Sequence, residues 1–315
     1  MPGSDKYVVS GDVAGMRLDM FVSGTDPGLS RSYAQKLIGE GLVMVNGVTA
    51  KANYRLRDGD EVVVTVPPPV ELEVLPESIP LDVYYEDSDL IVINKPRGMV
   101  VHPAEGNYTG TLVNALLYHC RDLSGINGVL RPGIVHRIDK ETSGLLMAAK
   151  NDLIHEGLAG QLQEHTVTRG YVALAHGILA HNHGVIDAPI GRDPLDRQRM
   201  AVNYRNGKRA VTHYRVLDRK NNFTLLDLRL ETGRTHQIRV HMSSAGHPLA
   251  GDMRYGPARP HLGLDGQFLH AYLLGFMHPG TEQYLEFRAP LPDELNSILE
   301  QDMGIHFSHL NKVQP

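Results

Sequence analysis

The chain has 315 residues, a single cysteine (Cys120) and a formal net charge of -5. This length suits about two domains, each able to bury its own core, and one cysteine excludes an internal disulfide framework. The first residues lack the basic-then-apolar order of a secretory signal and no apolar run approaches bilayer length, so a cytoplasmic protein with no membrane association is expected, and any nucleic-acid contact must come from local basic patches.

Residues from about 16 to 66 read as a first unit. Ser32-Tyr33-Ala34-Gln35 has the spacing of a helix start, Leu37 and Ile38 supply an apolar face, and Gly41 suits a left-handed helix stop. Val43 and Val45 alternate up to Asn46-Gly47, a pair that accepts positive φ at both central positions of a tight hairpin turn. Asp58-Gly59 precedes a further strand over Glu61 to Val66. Between Met16 and Val66 the chain carries six basic and six acidic residues, so a guiding role fits this unit better than strong nonspecific phosphate binding. Pro67-Pro68-Pro69 follows as a stiff linker, which divides the chain into 1–69 and 70–315.

The second unit opens near Leu81 with strand-like Val83 to Tyr85, an acidic turn at Glu86-Asp87-Ser88-Asp89 and a buried-type strand over Leu90 to Ile93. Asn94-Lys95-Pro96 stops that strand. Leu145 to Ala149 reads as a second buried strand, and Ile154, Leu158 and Leu162 at four-residue spacing predict a helix. A strand resumes over Tyr171 to Ala175. Another alternates through Leu226, Leu228 and Leu230, with Asp227 and Arg229 on its other face. Many strands with few long helices predict an α+β domain around a mixed, mostly antiparallel sheet. Between Arg192 and Lys220 nine Lys/Arg stand against three Asp/Glu, a basic stretch available to an RNA backbone or to solvent.

Three segments carry chemistry. His136-Arg137-Ile138-Asp139-Lys140-Glu141-Thr142-Ser143-Gly144-Leu145-Leu146 sets one carboxylate, Asp139, between two cations, which favour its ionised form and suit it to a nucleophile or cation stabiliser. Glu231-Thr232-Gly233-Arg234-Thr235-His236-Gln237-Ile238-Arg239-Val240-His241 passes through a Gly turn into a short helix closed by Gly246, and its N-terminus with Arg234 and Arg239 offers an anion site. Val167-Thr168-Arg169-Gly170-Tyr171-Val172-Ala173-Leu174 places one tyrosine in an apolar strand. Among seventeen histidines, His181, His183, His236 and His241 form the best metal constellation, but no H-E-x-x-H or C-x-x-C spacing supports it, and no metal is expected. The usual phosphate-loop and dinucleotide fingerprints are also missing.

The first of these segments resembles the signature H-R-[IL]-D-x-x-T-S-G of the RluA/RluD family of RNA pseudouridine synthases. The second resembles that family's G-R-T-H-Q-[IL]-R and the third its [KR]-x-Y-x-A. Asn94-Lys95-Pro96-Arg97-Gly98-Met99-Val100-Val101-His102-Pro103 also fits the family, without a clear role. The string Arg17-Leu18-Asp19, Ser30-Arg31, Lys36-Leu37-Ile38, Gly41, Val45-Asn46-Gly47 resembles the alpha-L (S4-like) RNA-binding fold.

The resemblance implies Asp139 as the catalytic nucleophile, Arg239 as its ion-pair partner and Tyr171 beneath the target ring. It implies RNA contacts from Arg137, which enters the space left by the extruded base, from Arg234, His236 and Gln237, and in the leading domain from Arg17, Arg31, Lys36 and Lys51. The D type is the nearest likeness, so the implied substrate is a stem-loop of large-subunit (23S) ribosomal RNA, free or in an assembling particle, isomerised by a cofactor-free monomer. Two rivals stay open: a noncatalytic RNA-binding or ribosome-assembly factor, which does not need Asp139, Tyr171 and Arg239 together, and a glycosidase or nucleosidase, which normally needs a second carboxylate such as Glu141 or Glu231.

Overall fold

The computed structural model describes residues 3–25, 29–66, 74–103, 106–120, 123, 133–196, 198–257 and 262–305. The chain divides into two compact units, Met1–Leu72 and Glu73–Pro315. The proline linker lies outside the described residues.

In the first unit β1 (Gly3–Val8) is followed by α1 (Leu18–Thr25), α2 (Arg31–Gly39), β2 (Val43–Val45), β3 (Val48–Thr49) and β4 (Glu61–Val66). The strands form an antiparallel sheet in the order β1-β4-β2-β3. Leu18, Val22, Leu37 and Ile38 from the helices close over Val43, Val45, Val62 and Val64 from the sheet. That is the apolar stripe of α2 meeting alternate strand residues. The helix starts two residues earlier than the sequence suggested: Ser30 caps it, its hydroxyl accepting from the Tyr33 amide at 3.2 Å. The predicted hairpin turn is present, with Asn46 at φ 51° and Gly47 at φ 78°. Strand β1 went unread because Gly-Ser-Asp-Lys-Tyr-Val has no apolar alternation; it forms an edge by pairing with β4.

The second unit contains β5 (Val83–Glu86), β6 (Leu90–Lys95), α3 (Leu112–His119), β7 (Ser143–Ala149), α4 (Asp152–Gln163), β8 (Thr168–His176), β9 (His183–Asp187), β10 (Ile190–Arg192), β11 (Met200–Val202), β12 (Val211–Lys220), β13 (Phe223–Leu230), α5 (Gln237–Ser244), β14 (Leu269–Met277), β15 (Tyr284–Arg288) and α6 (Asp293–Ser297). The main sheet runs β5-β6-β7-β14-β8-β13-β12-β9, with β15 also paired to β14. Its named pairings are antiparallel except β7 with β14, so the unit is α+β with a mixed, mostly antiparallel sheet. Strands β10 and β11 pair separately.

The middle of this sheet is covered on both faces, which explains runs of apolar residues without alternation. Every residue of β7 is buried. On β8, Tyr171, Ala173 and Ala175 join a core with Leu226, Leu228, Ile238 and Met242, while Val172 and Leu174 face another core with Phe268, Leu295 and Leu299. Asp227, on that second face, is buried and receives hydrogen bonds from the Tyr272 hydroxyl and Arg215.

Candidate active site

The loop before β7 presents Asp139, and the sequence around it is shaped by close contact with β14. Gly144 has φ 121° and sits opposite Ala271 in the parallel pairing. A Cβ there would strike the Ala271 backbone, so only glycine lets the two strands meet. Next to it Ser143 shares a 2.9 Å hydrogen bond with His270, whose pKa burial pushes down to about 4.

Two cations from the Asn94-Lys95-Pro96-Arg97 segment hold the loop. Lys95 is fully buried, and its ammonium donates to the carbonyls of Pro96, Met99 and Lys140 at 2.7, 2.8 and 3.1 Å. Burial pushes this group down to about 7, against the pull of Glu141 and Asp139. Arg97 donates to the carbonyls of Glu141 at 3.0 Å and Gln267 at 2.7 Å, and pairs with Glu294 at 3.0 Å. The two carbonyls that follow Asp139 each accept a hydrogen bond from a basic side chain, Lys95 or Arg97, which fixes where the Asp139 side chain emerges.

That side chain meets Arg239, one hundred residues later, on the first turn of α5. Arg239 Nη1 donates to Asp139 Oδ2 at 2.9 Å. Its Nε and Nη2 donate to the two oxygens of Asp252 at 2.7 and 2.9 Å. Asp252 is buried and also accepts the amides of Arg254 and Tyr255, each at 3.1 Å. Burial alone lowers the Arg239 guanidinium, but Asp252 and then Asp139 outweigh it and hold it above its ordinary range. Because Asp252 occupies one whole edge of the fork, Arg239 gives Asp139 a single hydrogen bond, and Asp139 Oδ1 faces His236 Nε2 at 3.9 Å with no hydrogen-bond partner among the described residues. Two carboxylates share one cation, leaving a net negative charge whose accessible end is Asp139.

This end opens into a cleft of about 630 Å³ whose walls include Arg137, Arg169, Tyr171, Arg234 and His236. Such a volume lies within the roughly 300–1,000 Å³ of ordinary ligand sites. Tyr171 is buried, and burial, reinforced by Asp139 and opposed by Arg169, raises its hydroxyl pKa. His236 adopts the left-handed conformation (φ 56°, ψ 23°) at the start of α5 and bonds the Tyr255 hydroxyl through Nδ1 at 2.7 Å. Burial lowers its pKa, against the pull of Asp139. The cleft is large enough to admit a small polar guest beside the Asp139 carboxylate.

Comparison with known proteins agrees with this chemistry. Residues 89–244 match the family model described as RNA pseudouridylate synthase, and residues 16–62 match the S4 domain. The uncharacterized RNA pseudouridine synthase YlyB of Bacillus subtilis is 59% identical over 284 residues, spanning 90% of this chain and 93% of that protein. The chain belongs to the RNA pseudouridylate synthase family. It is thus an isomerase, an RNA pseudouridine synthase carrying an S4 domain. The ribosomal large subunit pseudouridine synthase D of Zymomonas mobilis is 44% identical to this synthase over 311 residues, covering 95% of this chain and 98% of that one. Among solved structures, human RNA pseudouridylate synthase domain containing 1 matches with a TM-score of 0.54 and 27% identity, over 72% of this chain and 87% of that chain.

Within the synthase, Asp139, Tyr171 and Arg239 come together at one cleft, as do Arg137, Arg234, His236 and Gln237. Their states differ. Arg137 is exposed and donates to Thr235 Oγ1 at 2.9 Å. Arg234 donates through Nε to the Arg209 carbonyl at 2.9 Å. Gln237 is buried: its carbonyl accepts from Thr232 and the Arg234 amide, and its amide donates to Val211 and Thr212. Its side chain therefore frames the turn that carries its neighbours. In the S4 unit, Arg17 and Arg31 both donate to buried Asp19, held well below the usual carboxylate range first by Arg17. Lys36 pairs loosely with Glu40, and Lys51 is exposed.

The histidine constellation does not assemble as a ligand set, since His241 spends one ring nitrogen on Thr212 and the other on the Ala188 carbonyl. Glu231, considered as a second acid, is engaged by Arg209 and His213. Sequence reasoning missed Asp252, Tyr255 and Arg169 as parts of the site. Arg169 had a signal, since it lies two residues before Tyr171 and so projects from the same face of β8. Asp252 had none beyond standing in a Gly-Asp turn.

Proposed function

We propose that this synthase converts uridine to pseudouridine in a stem-loop of large-subunit (23S) ribosomal RNA, with Asp139 as nucleophile and no cofactor. The observation that carries the reading is the Asp139–Arg239–Asp252 arrangement, which sets Asp139 in the wall of the cleft with one carboxylate oxygen unpartnered among the described residues beside a fixed cation. The substrate class rests on relatives named ribosomal large subunit pseudouridine synthase D, in Zymomonas mobilis and in Neisseria meningitidis, the latter 46% identical over 317 residues.

In this reading the target base leaves its stack at a cost of a few kcal/mol and enters the cleft. Arg137, exposed at the rim, fills the vacated space and offsets part of that cost. Tyr171 supports the base from below. Asp139 Oδ1 attacks the sugar carbon as the glycosidic bond breaks, the base turns, and its C5 takes the place of N1. No electrons are gained or lost and no water is consumed, so the chemistry itself calls for no redox group. Arg234 and His236 line the RNA path, and Gln237 acts by holding their turn. The leading domain, residues 1–69, guides the RNA through Arg17, Arg31, Lys36 and Lys51, and residues 70–315 perform the isomerisation. Activity on ribosomal RNA makes this a cytoplasmic enzyme.

The test is mass mapping of pseudouridine in ribosomal RNA from cells lacking the gene, with and without a plasmid copy. Loss of one or more large-subunit pseudouridines, restored by the plasmid, is expected. An unchanged large-subunit map would overturn the assignment.

A further inference from the structure

Arg169 sits in the wall of the cleft as a buried cation with no anion beside it among the described residues. It is 8% exposed. One of its donors is used, from Nη2 to the Glu231 carbonyl at 2.9 Å. Its Nε is buried with no acceptor. Among the described residues no carboxylate lies within ion-pair distance of it, whereas Arg239 in the same cleft is neutralised by two. Burial accordingly lowers the Arg169 guanidinium, with only Tyr171 raising it and Arg234 lowering it further. Across from it stands Gly233, where a Cβ would lie 2.6 Å from Arg169 Nη1. Any other residue at 233 would crowd that nitrogen.

An uncompensated buried guanidinium costs several kcal/mol in general and persists where something else repays it. The neighbouring neutral groups do not. His136, also in the cleft, is driven down to about 3 by burial and then by Arg169, and it accepts the Met147 amide through Nε2 at 3.2 Å. It is therefore a neutral ring and adds no negative charge.

We propose that Arg169 is a catalytic residue that receives the negative charge of the detached pyrimidine. This rests on the isomerisation reading above and assigns the charge flow within it. When the sugar-to-N1 bond breaks, its electron pair stays on the base and spreads over N1, O2 and O4. At the same time an oxygen pair of Asp139 forms the bond to the sugar carbon, so the carboxylate loses the charge that the base gains. Arg239 is committed at the Asp139 end of this transfer. Arg169, on the same strand face as Tyr171 and with donors to spare, is the cation at the other end. When C5 then attacks the sugar carbon, the base gives up its extra electron pair to the new bond and becomes neutral, while the bond to Asp139 breaks and the carboxylate regains its charge. The C5 proton then moves to N1, a shift within the neutral base. Atoms and electrons balance without a further reactant.

A phosphate of the RNA could also pair with a guanidinium, but it would do so before any bond breaks, and this difference is measurable. The experiment uses the full chain with Arg169→Gln and Arg169→Lys. The substrates are the mapped stem-loop with either uridine or 5-fluorouridine at the target. Ring fluorine stabilises the base anion, so it lessens the need for an external cation. Single-turnover cleavage of the N-glycosidic bond and RNA affinity are both measured. Arg169→Gln is expected to slow cleavage of uridine on the order of 100-fold, the usual effect of removing a charge-stabilising donor, with affinity within twofold. Its deficit should shrink at least tenfold on 5-fluorouridine, and Arg169→Lys, which keeps the charge and tests the site if the glutamine variant misfolds, should show a much smaller deficit. An equal deficit on both substrates, or affinity falling in step with rate, would overturn the proposal. If the unaltered protein does not isomerise the uridine RNA, it is the functional reading that fails.

Discussion

Asp252 grips Arg239 through two hydrogen bonds of 2.7 and 2.9 Å, and thereby leaves this guanidinium a single nitrogen for Asp139. A free arginine would meet a carboxylate with two donors. The one-donor contact positions Asp139 while sparing one of its oxygens for chemistry.

Asp252→Asn should therefore do two things. It leaves Arg239 free to rotate toward a two-donor grip on Asp139, so kcat should fall roughly 10- to 100-fold with KM little changed. It also breaks a buried pair, which costs about 3–5 kcal/mol, so the thermal midpoint should drop by roughly 10 °C. Steady-state kinetics and a thermal melt read the two effects separately.

Acid should weaken the fold through His270. Its folded pKa of about 4 lies below the ordinary 6.5 of a histidine. Between these values the unfolded chain binds a proton that the folded chain refuses, so stability present above pH 6.5 is lost as pH falls toward 4, by about 3 kcal/mol for this group. His270→Asn should flatten that slope in denaturant titrations at pH 7 and pH 4.5. An unaltered slope would place the acid sensitivity elsewhere.

Gly144→Ala should be among the most damaging single changes. It combines a left-handed backbone with a collision against Ala271, so β7 and β14 must part. Backbone strain alone costs on the order of 1–3 kcal/mol, and loss of strand pairing adds to it. Most of the protein should be recovered insoluble, and any soluble fraction should melt well below the parent.

The core of the second unit was legible because burial on both faces writes itself as apolar runs, as in Leu145 to Ala149, and because α4 spaces Ile154, Leu158 and Leu162 on one side. Asp139 and Arg239 were legible because their local strings are specific. What pairs with them was not. Lys95 finds the Lys140 carbonyl 45 positions away, and Asp252 reaches Arg239 from a turn with no periodic signal. Arg169 was visible as a residue, but the feature that sets it apart is that no carboxylate among the described residues pairs with it, which only packing reveals. The early start of α2 at Ser30 was hidden because Ser30 and Ser32 both suit a helix cap.

Arg137→Ala should separate base extrusion from chemistry. Turnover on a target loop flanked by duplex should fall at least tenfold, while turnover on an unstructured RNA of the same sequence should change by less than threefold, because only the first must pay for unstacking. Equal losses on both would remove Arg137 from the role of filling the vacated space.

The most direct test concerns Asp139 itself. RNA carrying tritium at uridine C5 releases the label only when C5 becomes bonded to the sugar. Asp139→Asn keeps the shape of the side chain and removes its charge, so it should bind this RNA with parental affinity and release no tritium above background. Release at the parental rate would contradict the assignment of Asp139 as the nucleophile.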